Sequence, residues 1–239
     1  MSFDSRESAL ELQGHREVRP SVYVYEAPVR IWHWINALAI VVLTVTGTLI
    51  AYPLPSVSGE ATFAFLMGYI RFTHFAAGYV LGAGLIGRLY WALVGNHHAR
   101  QLVTLPIHNR QWWNDLFYMA GWYLFLNREA RKFTGHNPLS HVAMVLVFLT
   151  CLLLMVFTGF ALYAEGTGMG SWQHDLFGWV LTLAGNSQNL HTLHHLGMWV
   201  MGLFVVIHIY TAVREDIMSR QTLISTMVNG IRIFKDDRP

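Results

Sequence analysis

Long apolar runs separated by short polar connections dominate the chain. Four stand out, over residues 31–52, 70–94, 139–163 and 193–213. Each is close to or above the roughly 20 residues that a helix needs to cross a hydrocarbon layer. The third carries no charged residue. In lipid, a spanning segment must satisfy its backbone N–H and C=O groups internally, which a helix does. The pattern predicts an all-α integral membrane four-helix bundle, a single membrane unit over residues 1–239 with a polar tail over 214–239. Two aromatic segments are too short to span. Residues 111–127, QWWNDLFYMAGWYLFLN, contain Asn114 and Asp115. They read as an interfacial helix anchored by Trp112, Trp113, Trp122 and Tyr123. Residues 172–183 read as a second interfacial segment.

Composition strengthens this reading. Hydrophobic residues make up 54% and charged residues 13% of the chain, whereas a soluble domain carries roughly 25% charged residues. A net charge of +2 leaves no electrostatic footprint for nucleic acid. Cys151 is the one cysteine. That excludes a disulfide within the chain, covalent haem attachment through CxxCH, and a cluster held by several thiolates. Cys151 is expected in the core. The polar first twenty residues, with Asp4, Glu7, Glu11 and Glu17, lack the apolar core of a signal peptide. The first span is therefore expected to direct insertion.

Basic residues set the orientation. Arg6, Arg16, Arg19 and Arg30 precede the first span. Arg100, Arg110, Arg128, Arg131 and Lys132 lie between the second and third, and Arg214, Arg220, Arg232, Lys235 and Arg238 follow the fourth. The other two connections have none, and the remaining two, Arg71 and Arg88, lie inside the second span. By the positive-inside rule both termini are expected in the cytoplasm of a cell with this chain in its inner membrane.

Histidines carry the candidate chemistry. His194 and His208 are fourteen residues apart on the fourth span. At about 100° and 1.5 Å per residue, their rings share one face at levels roughly 21 Å apart. His195 and His191 fall off that face, although helix ends fray and His195 stays an alternative to His194. His33 lies near the inner end of span one and His74 near the outer end of span two. Matching by depth pairs His33 with His208 and His74 with His194. Ionisable residues inside a membrane are usually functional, and two neutral imidazoles are suitable axial ligands for haem iron. The reading is two stacked b haems with those four histidines as iron ligands. Full axial coordination leaves no open position for a substrate. His15, His97, His98, His108, His136 and His174 read as surface or interface groups, and His141 as a span-end residue.

Other positions admit two explanations. Gly47, fourteen residues after His33, and Gly78, one turn after His74, suit either close approach to a cofactor or helix packing. Arg88, fourteen after His74, could meet a haem propionate or snorkel to inner headgroups, the latter slightly favoured. No Asp or Glu lies deep in a span, which argues against a proton wire across the membrane within this chain.

Several stretches resemble the b-type cytochrome subunit of membrane-bound nickel–iron uptake hydrogenases. They are VYEAPVRIWHW (24–34), PLPSVSGEATF (53–63), MGYIRFTHFAAG (67–78), GHNP (135–138), HHLGMW (194–199), REDIMS (214–219) and ISTMVNG (224–230). The resemblance runs from about residue 22 to 230 and includes connections and tail. It implies four spans, two haem b groups and bis-histidine ligation by His33, His74, His194 and His208. It further implies that the chain anchors the hydrogenase small and large subunits on the periplasmic side. Electrons from their iron–sulfur clusters would pass to membrane quinone, and the chain alone would not oxidise hydrogen. The quinone neighbourhood would include His33, Trp34, Tyr118 or Arg214–Asp216. Related alternatives are the cytochrome b subunit of a formate dehydrogenase or thiosulfate reductase, and a stand-alone cytochrome b561-like quinone oxidoreductase.

Overall fold

The structure is a computed structural model and describes residues 20–55 and 64–235. Arg6, Arg16, Arg19, Arg238, His15, the early acidic residues and most of the PLPSVSGEATF stretch lie outside those residues. In chain order, β1 (Ser21–Tyr23) leads into α1 (Ala27–Ala51), α2 (Leu66–Val94), α3 (His97–Arg100) and α4 (Arg110–Tyr123). The third spanning helix, α5 (Pro138–Thr167), follows. It contains a π-helical stretch over Ala143–Leu149. The chain ends with α6 (Trp172–Ala184), α7 (Ser187–Met218), α8 (Leu223–Asn229) and β2 (Ile231–Ile233).

Helices α1, α2, α5 and α7 are the four long apolar ones, and they form an integral membrane bundle. They correspond to the four expected spans and extend beyond each of them at one end or both. A core of Ala39, Ile40, Leu81, Leu85, Phe148, Cys151, Leu152 and Met201 joins all four. Around it, large apolar side chains face outward, among them Leu38, Val41, Ile86 and Leu203. Such a surface would be a liability in water and is what a lipid-facing bundle requires. Cys151 is buried as expected, its thiol directed at the Gly197 carbonyl 3.3 Å away.

One end of the bundle carries both terminal strands. β1 pairs antiparallel with β2, Val22 opposite Arg232. This terminal end also holds α3 and α4. The opposite, loop end holds α6. At the terminal end, local sequence explains each joint. Pro28 sits in the first turn of α1, where a missing N–H costs nothing. Glu26 at its cap accepts from the Trp91 indole (3.0 Å) and the Asn96 N–H (2.9 Å), tying α1 to the end of α2. Asn137 caps α5 by accepting from the Ser140 N–H at 2.8 Å, with Pro138 next. Gly230 has φ +83, and a Cβ there would lie 2.6 Å from the Tyr25 carbonyl oxygen, so no other residue fits this turn comfortably.

The polar tail folds into the terminal end. Thr226 is fully buried and Arg232 nearly so. Arg232 donates to the Phe133 (2.7 Å) and Gly135 (2.9 Å) carbonyls. Its Nη1 thus finds backbone acceptors that offset much of the cost of burial, while Nε has no partner. Helix α4 is present as expected, but Trp112 and Trp122 face inward, not to the membrane interface; Trp113 remains exposed. The Trp122 indole donates to Glu215 Oε1 (2.6 Å), and Arg214 pairs with the same oxygen (3.0 Å) and donates to the Trp122 carbonyl (3.3 Å). The Arg214 guanidinium also lies over the Trp122 ring at 4.6 Å. This buried cluster fastens α4 to the end of α7.

Removing one member of such a buried pair leaves the other charge unpaired. Glu215→Ala is expected to cost about 3–5 kcal/mol, read as a lower melting temperature of the detergent-purified chain. Glu215→Gln, which keeps an acceptor for the indole, should cost less.

Candidate functional site

The structure brings the four predicted histidines together in two pairs. His33 of α1 faces His208 of α7 with ring centroids 6.3 Å apart. His74 of α2 faces His194 of α7 at 6.4 Å. The first pair lies toward the terminal end and the second toward the loop end. A metal–imidazole bond is about 2 Å long, so two imidazoles on opposite sides of one ion hold their ring centres about 6 Å apart. Both separations match that arrangement.

Hydroxyls orient the loop-end pair. Thr46 Oγ1 lies 2.9 Å from His74 Nδ1, and Thr158 Oγ1 lies 2.8 Å from His194 Nδ1. Each threonine donates its single hydroxyl proton to the carbonyl four residues back, Val42 at 2.7 Å and Leu154 at 2.6 Å. The hydroxyl oxygen must then accept, so each Nδ1 carries the ring proton. Each Nε2 is left unprotonated, the state a metal ligand requires. Glycines stand beside these threonines. A Cβ on Gly47 would sit 3.2 Å from His74 Cε1, and one on Gly159 would sit 3.2 Å from His194 Cε1. The two Thr–Gly steps thus make room for the rings and fix their tautomer.

The terminal-end pair is built differently. The Phe204 ring stacks on His208 at 5.8 Å, nearly parallel, and in turn lies 5.2 Å from Phe148 in the π-helical stretch. Trp34 meets His33 edge-on at 5.0 Å. His33 Nδ1 is buried with no hydrogen-bond partner.

Among the described residues no cluster of three or more His, Cys, Asp or Glu side chains could hold a metal ion. Two imidazoles are too few donors for a bare transition metal. They suffice for haem, whose ring supplies the remaining donors and whose iron needs only axial ligands. The donor set therefore fits two haems better than two free ions.

A family model described as Prokaryotic cytochrome b561 matches residues 24–230. The chain belongs to this family of b-type membrane cytochromes. A protein of Azotobacter chroococcum mcd 1, named "Probable Ni/Fe-hydrogenase B-type cytochrome subunit", is 59% identical over 236 residues, covering 98% of each chain. One of Rhodobacter capsulatus with the same name is 58% identical over 221 residues, 92% of this chain and 84% of its own. One of Escherichia coli (strain K12), named "Probable Ni/Fe-hydrogenase 1 B-type cytochrome subunit", is 49% identical over 220 residues, 90% of this chain and 92% of its own. The names of these relatives agree with the resemblance read from the sequence.

Several single-residue expectations change in the structure of the cytochrome. Arg88 does not snorkel. It is 5% exposed, donates to the Ala99 carbonyl at 2.8 Å and lies over the Trp32 ring at 5.6 Å, with Nε and Nη1 unpartnered. Gly78 is not a packing glycine, because a Cβ there would meet nothing within 4 Å. His195 accepts from the Trp199 indole at 3.1 Å and sits beside Tyr52, away from His74. His136 is no surface group. It contacts Gln101 Oε1 at 3.0 Å and the Tyr25 hydroxyl at 3.4 Å. Its imidazole is pushed down to about 3, first by burial and then by repulsion from His141, Arg232, His208 and Arg88. Burial likewise raises the Tyr25 phenol, so both groups are neutral at physiological pH. Several residues named for a quinone neighbourhood also hydrogen-bond within the chain. The Trp34 indole donates to the Met227 carbonyl at 2.9 Å, Tyr118 to the Glu129 carbonyl at 3.0 Å, and Arg214 and Glu215 hold each other. Thr46, Thr158 and Gly159 escaped the sequence reading. The repeated Thr–Gly step at 46–47 and 158–159 was the available signal.

Proposed function

We propose that this cytochrome is the dihaem electron-transfer subunit of a nickel–iron hydrogenase. It anchors the enzyme on the periplasmic side of the inner membrane and delivers electrons to membrane quinone. The observation that carries the reading is the pair of opposed imidazole couples, each 6.3–6.4 Å between ring centres, at two levels of one bundle. His33 and His208 would hold one haem b, and His74 and His194 the other. When bound, the haems supply one-electron chemistry at two depths of an otherwise insulating layer. The chain's own residues do the rest. Thr46 and Thr158 keep the loop-end rings in the ligating tautomer. The free Nε and Nη1 of Arg88 suit a carboxylate such as a haem propionate. The apolar bundle core excludes water between the two levels.

The basic connections and tail favour a cytoplasmic terminal end, which leaves the loop end to the periplasm and the hydrogenase. The names of the relatives favour a hydrogenase partner over a formate dehydrogenase or thiosulfate reductase. Affinity purification of the tagged cytochrome from native membranes should bring nickel and iron with it. A molybdenum enzyme in its place would sink the assignment of partner.

A pyridine haemochrome assay should return two haem b per chain. His33→Ala or His208→Ala should retain one haem, and His74→Ala or His194→Ala should retain the other, distinguishable in low-temperature visible spectra. Loss of both haems from every single variant would leave the pairing without support. Thr46→Val and Thr158→Val keep shape but remove the acceptor behind Nδ1. Each is expected to weaken retention of the loop-end haem about 10–100-fold, measured as haem-to-protein ratio across serial dilution in detergent.

A further inference from the structure

The fold leaves the Arg88 guanidinium largely unanswered. Arg88 lies inside α2 and is 5% exposed. Nη2 donates to the Ala99 carbonyl at 2.8 Å. Nε and Nη1 are buried, and among the described residues nothing accepts from them. An ionised group inside a membrane span is costly unless it is paired. This one therefore calls for an anion that the chain itself does not supply. Its burial keeps a lipid headgroup out.

Two observations place that anion. First, a second unsatisfied donor faces the same spot. The Trp32 indole N–H of α1 is buried without a partner, and the Arg88 guanidinium carbon lies 5.6 Å from the centre of the Trp32 ring. The N–H edge of the indole is turned to α2, since a Cβ on Gly84 would lie 3.6 Å from Nε1 and 3.5 Å from Cδ1. Gly84 is one turn before Arg88 on the same row of the helix, so its missing side chain leaves the space beside both donors open. Two guanidinium N–H groups and an indole N–H suit a carboxylate, which accepts through two oxygens.

Second, the spot lies level with the His33–His208 pair. Arg88 follows His74 by fourteen residues on α2, as His208 follows His194 on α7. At 1.5 Å and about 100° per residue, each step covers roughly 21 Å and returns to nearly the same helix face. His74 lies opposite His194 at 6.4 Å, so Arg88 falls at the level of His208. Trp32 directly precedes His33. It meets Phe148 at 6.4 Å, and Phe148 lies 5.2 Å from Phe204, the ring stacked on His208.

We infer that Arg88 and Trp32 form a buried carboxylate site for a propionate of the terminal-end haem, and that the guanidinium charge makes the iron there easier to reduce. The inference rests on the dihaem reading. Trp32 positions the carboxylate; Arg88 positions it and neutralises its charge. In a surrounding of low dielectric, charges act on one another more strongly than in water. A bare carboxylate beside the ring would oppose the arrival of an electron, and a carboxylate paired with a guanidinium does not.

The test is a potentiometric titration of the full-length haem-loaded cytochrome, followed by visible absorbance. The terminal-end haem is recognised as the one missing from His208→Ala. Arg88→Gln should lower its potential, so that the ratio of reduced to oxidised haem at a fixed ambient potential falls about tenfold, equivalent to about 59 mV for one electron. The loop-end haem should keep its potential. Arg88→Lys, a point charge without the fork, should recover part of the loss. Trp32→Phe, which removes the indole donor and keeps a ring beside the guanidinium, should lower the potential by less than Arg88→Gln. In the unsubstituted protein, haem isotopically labelled at its propionate carboxyls should give a redox-difference infrared spectrum with an ionised carboxylate that responds to reduction of the terminal-end haem. If Arg88→Gln fails to retain that haem, Arg88→Lys and the labelled unsubstituted protein decide. An unchanged terminal-end potential in the variants that keep both haems, or protonated propionates alone at that level, would overturn the site and leave the two haems in place. Fewer than two haems in the unsubstituted cytochrome would end the dihaem reading, and the site with it.

Discussion

An imidazole that is to bind a metal inside hydrocarbon must present an unprotonated nitrogen to a partner across a narrow gap, and two opposed imidazole pairs of the bundle fit that demand. Helix α7 supplies one ring at each of two levels, while α1 and α2 each supply the opposing ring at one level. Helices α1 and α2 thus each face α7 through one histidine, and a fourth span completes the shared core. Helix α5 takes that place and also brings Thr158 and Gly159 to His194. The shared core of Ala39, Leu81, Leu152 and Met201 holds the helices at the spacing the rings need.

The terminal end does a second job with the same economy. The GHNP stretch shows it residue by residue. Gly135 has no room for a Cβ, which would sit 2.8 Å from Gln101 and His98, and its carbonyl accepts from Arg232. His136 joins Tyr25 to Gln101. Asn137 caps α5, and Pro138 begins it. The strand pair, the α4 clamp through Glu215 and the cap at Glu26 close this end with buried hydrogen bonds instead of a large apolar core. Such networks are rigid when complete and costly when broken.

The four spans, both short aromatic helices and the two histidine pairs were legible from the chain alone. Spans show because hydrocarbon demands uninterrupted apolar length. The pairs show because a fourteen-residue interval places His194 and His208 on one helix face. Thr46 and Thr158 were hidden because a threonine in an apolar span ordinarily serves its own helix by bonding the carbonyl one turn back. Here each does that and also meets a ring. Arg88 and His136 were misread because a buried polar residue that finds acceptors inside the fold, a backbone carbonyl for Arg88 and the Gln101 side chain for His136, looks in sequence like any solvated one. Trp112 and Trp122 were taken as interface anchors because an indole suits both a headgroup layer and a protein interior with an acceptor. Only the Glu215 carboxylate on a distant helix decides for Trp122.

The unequal backing of the two histidine levels has a consequence for direction. At the loop end, both rings give an Nδ1 proton to a hydroxyl oxygen, which makes each a more basic, more electron-rich donor. At the terminal end, His33 has no such support behind its Nδ1. Iron held at the first level would favour its ferric state more strongly than iron at the second. Two threonines would thereby tilt the electrochemical slope through the bilayer, so that charge entering from the loop side drifts toward the terminal side without any moving part.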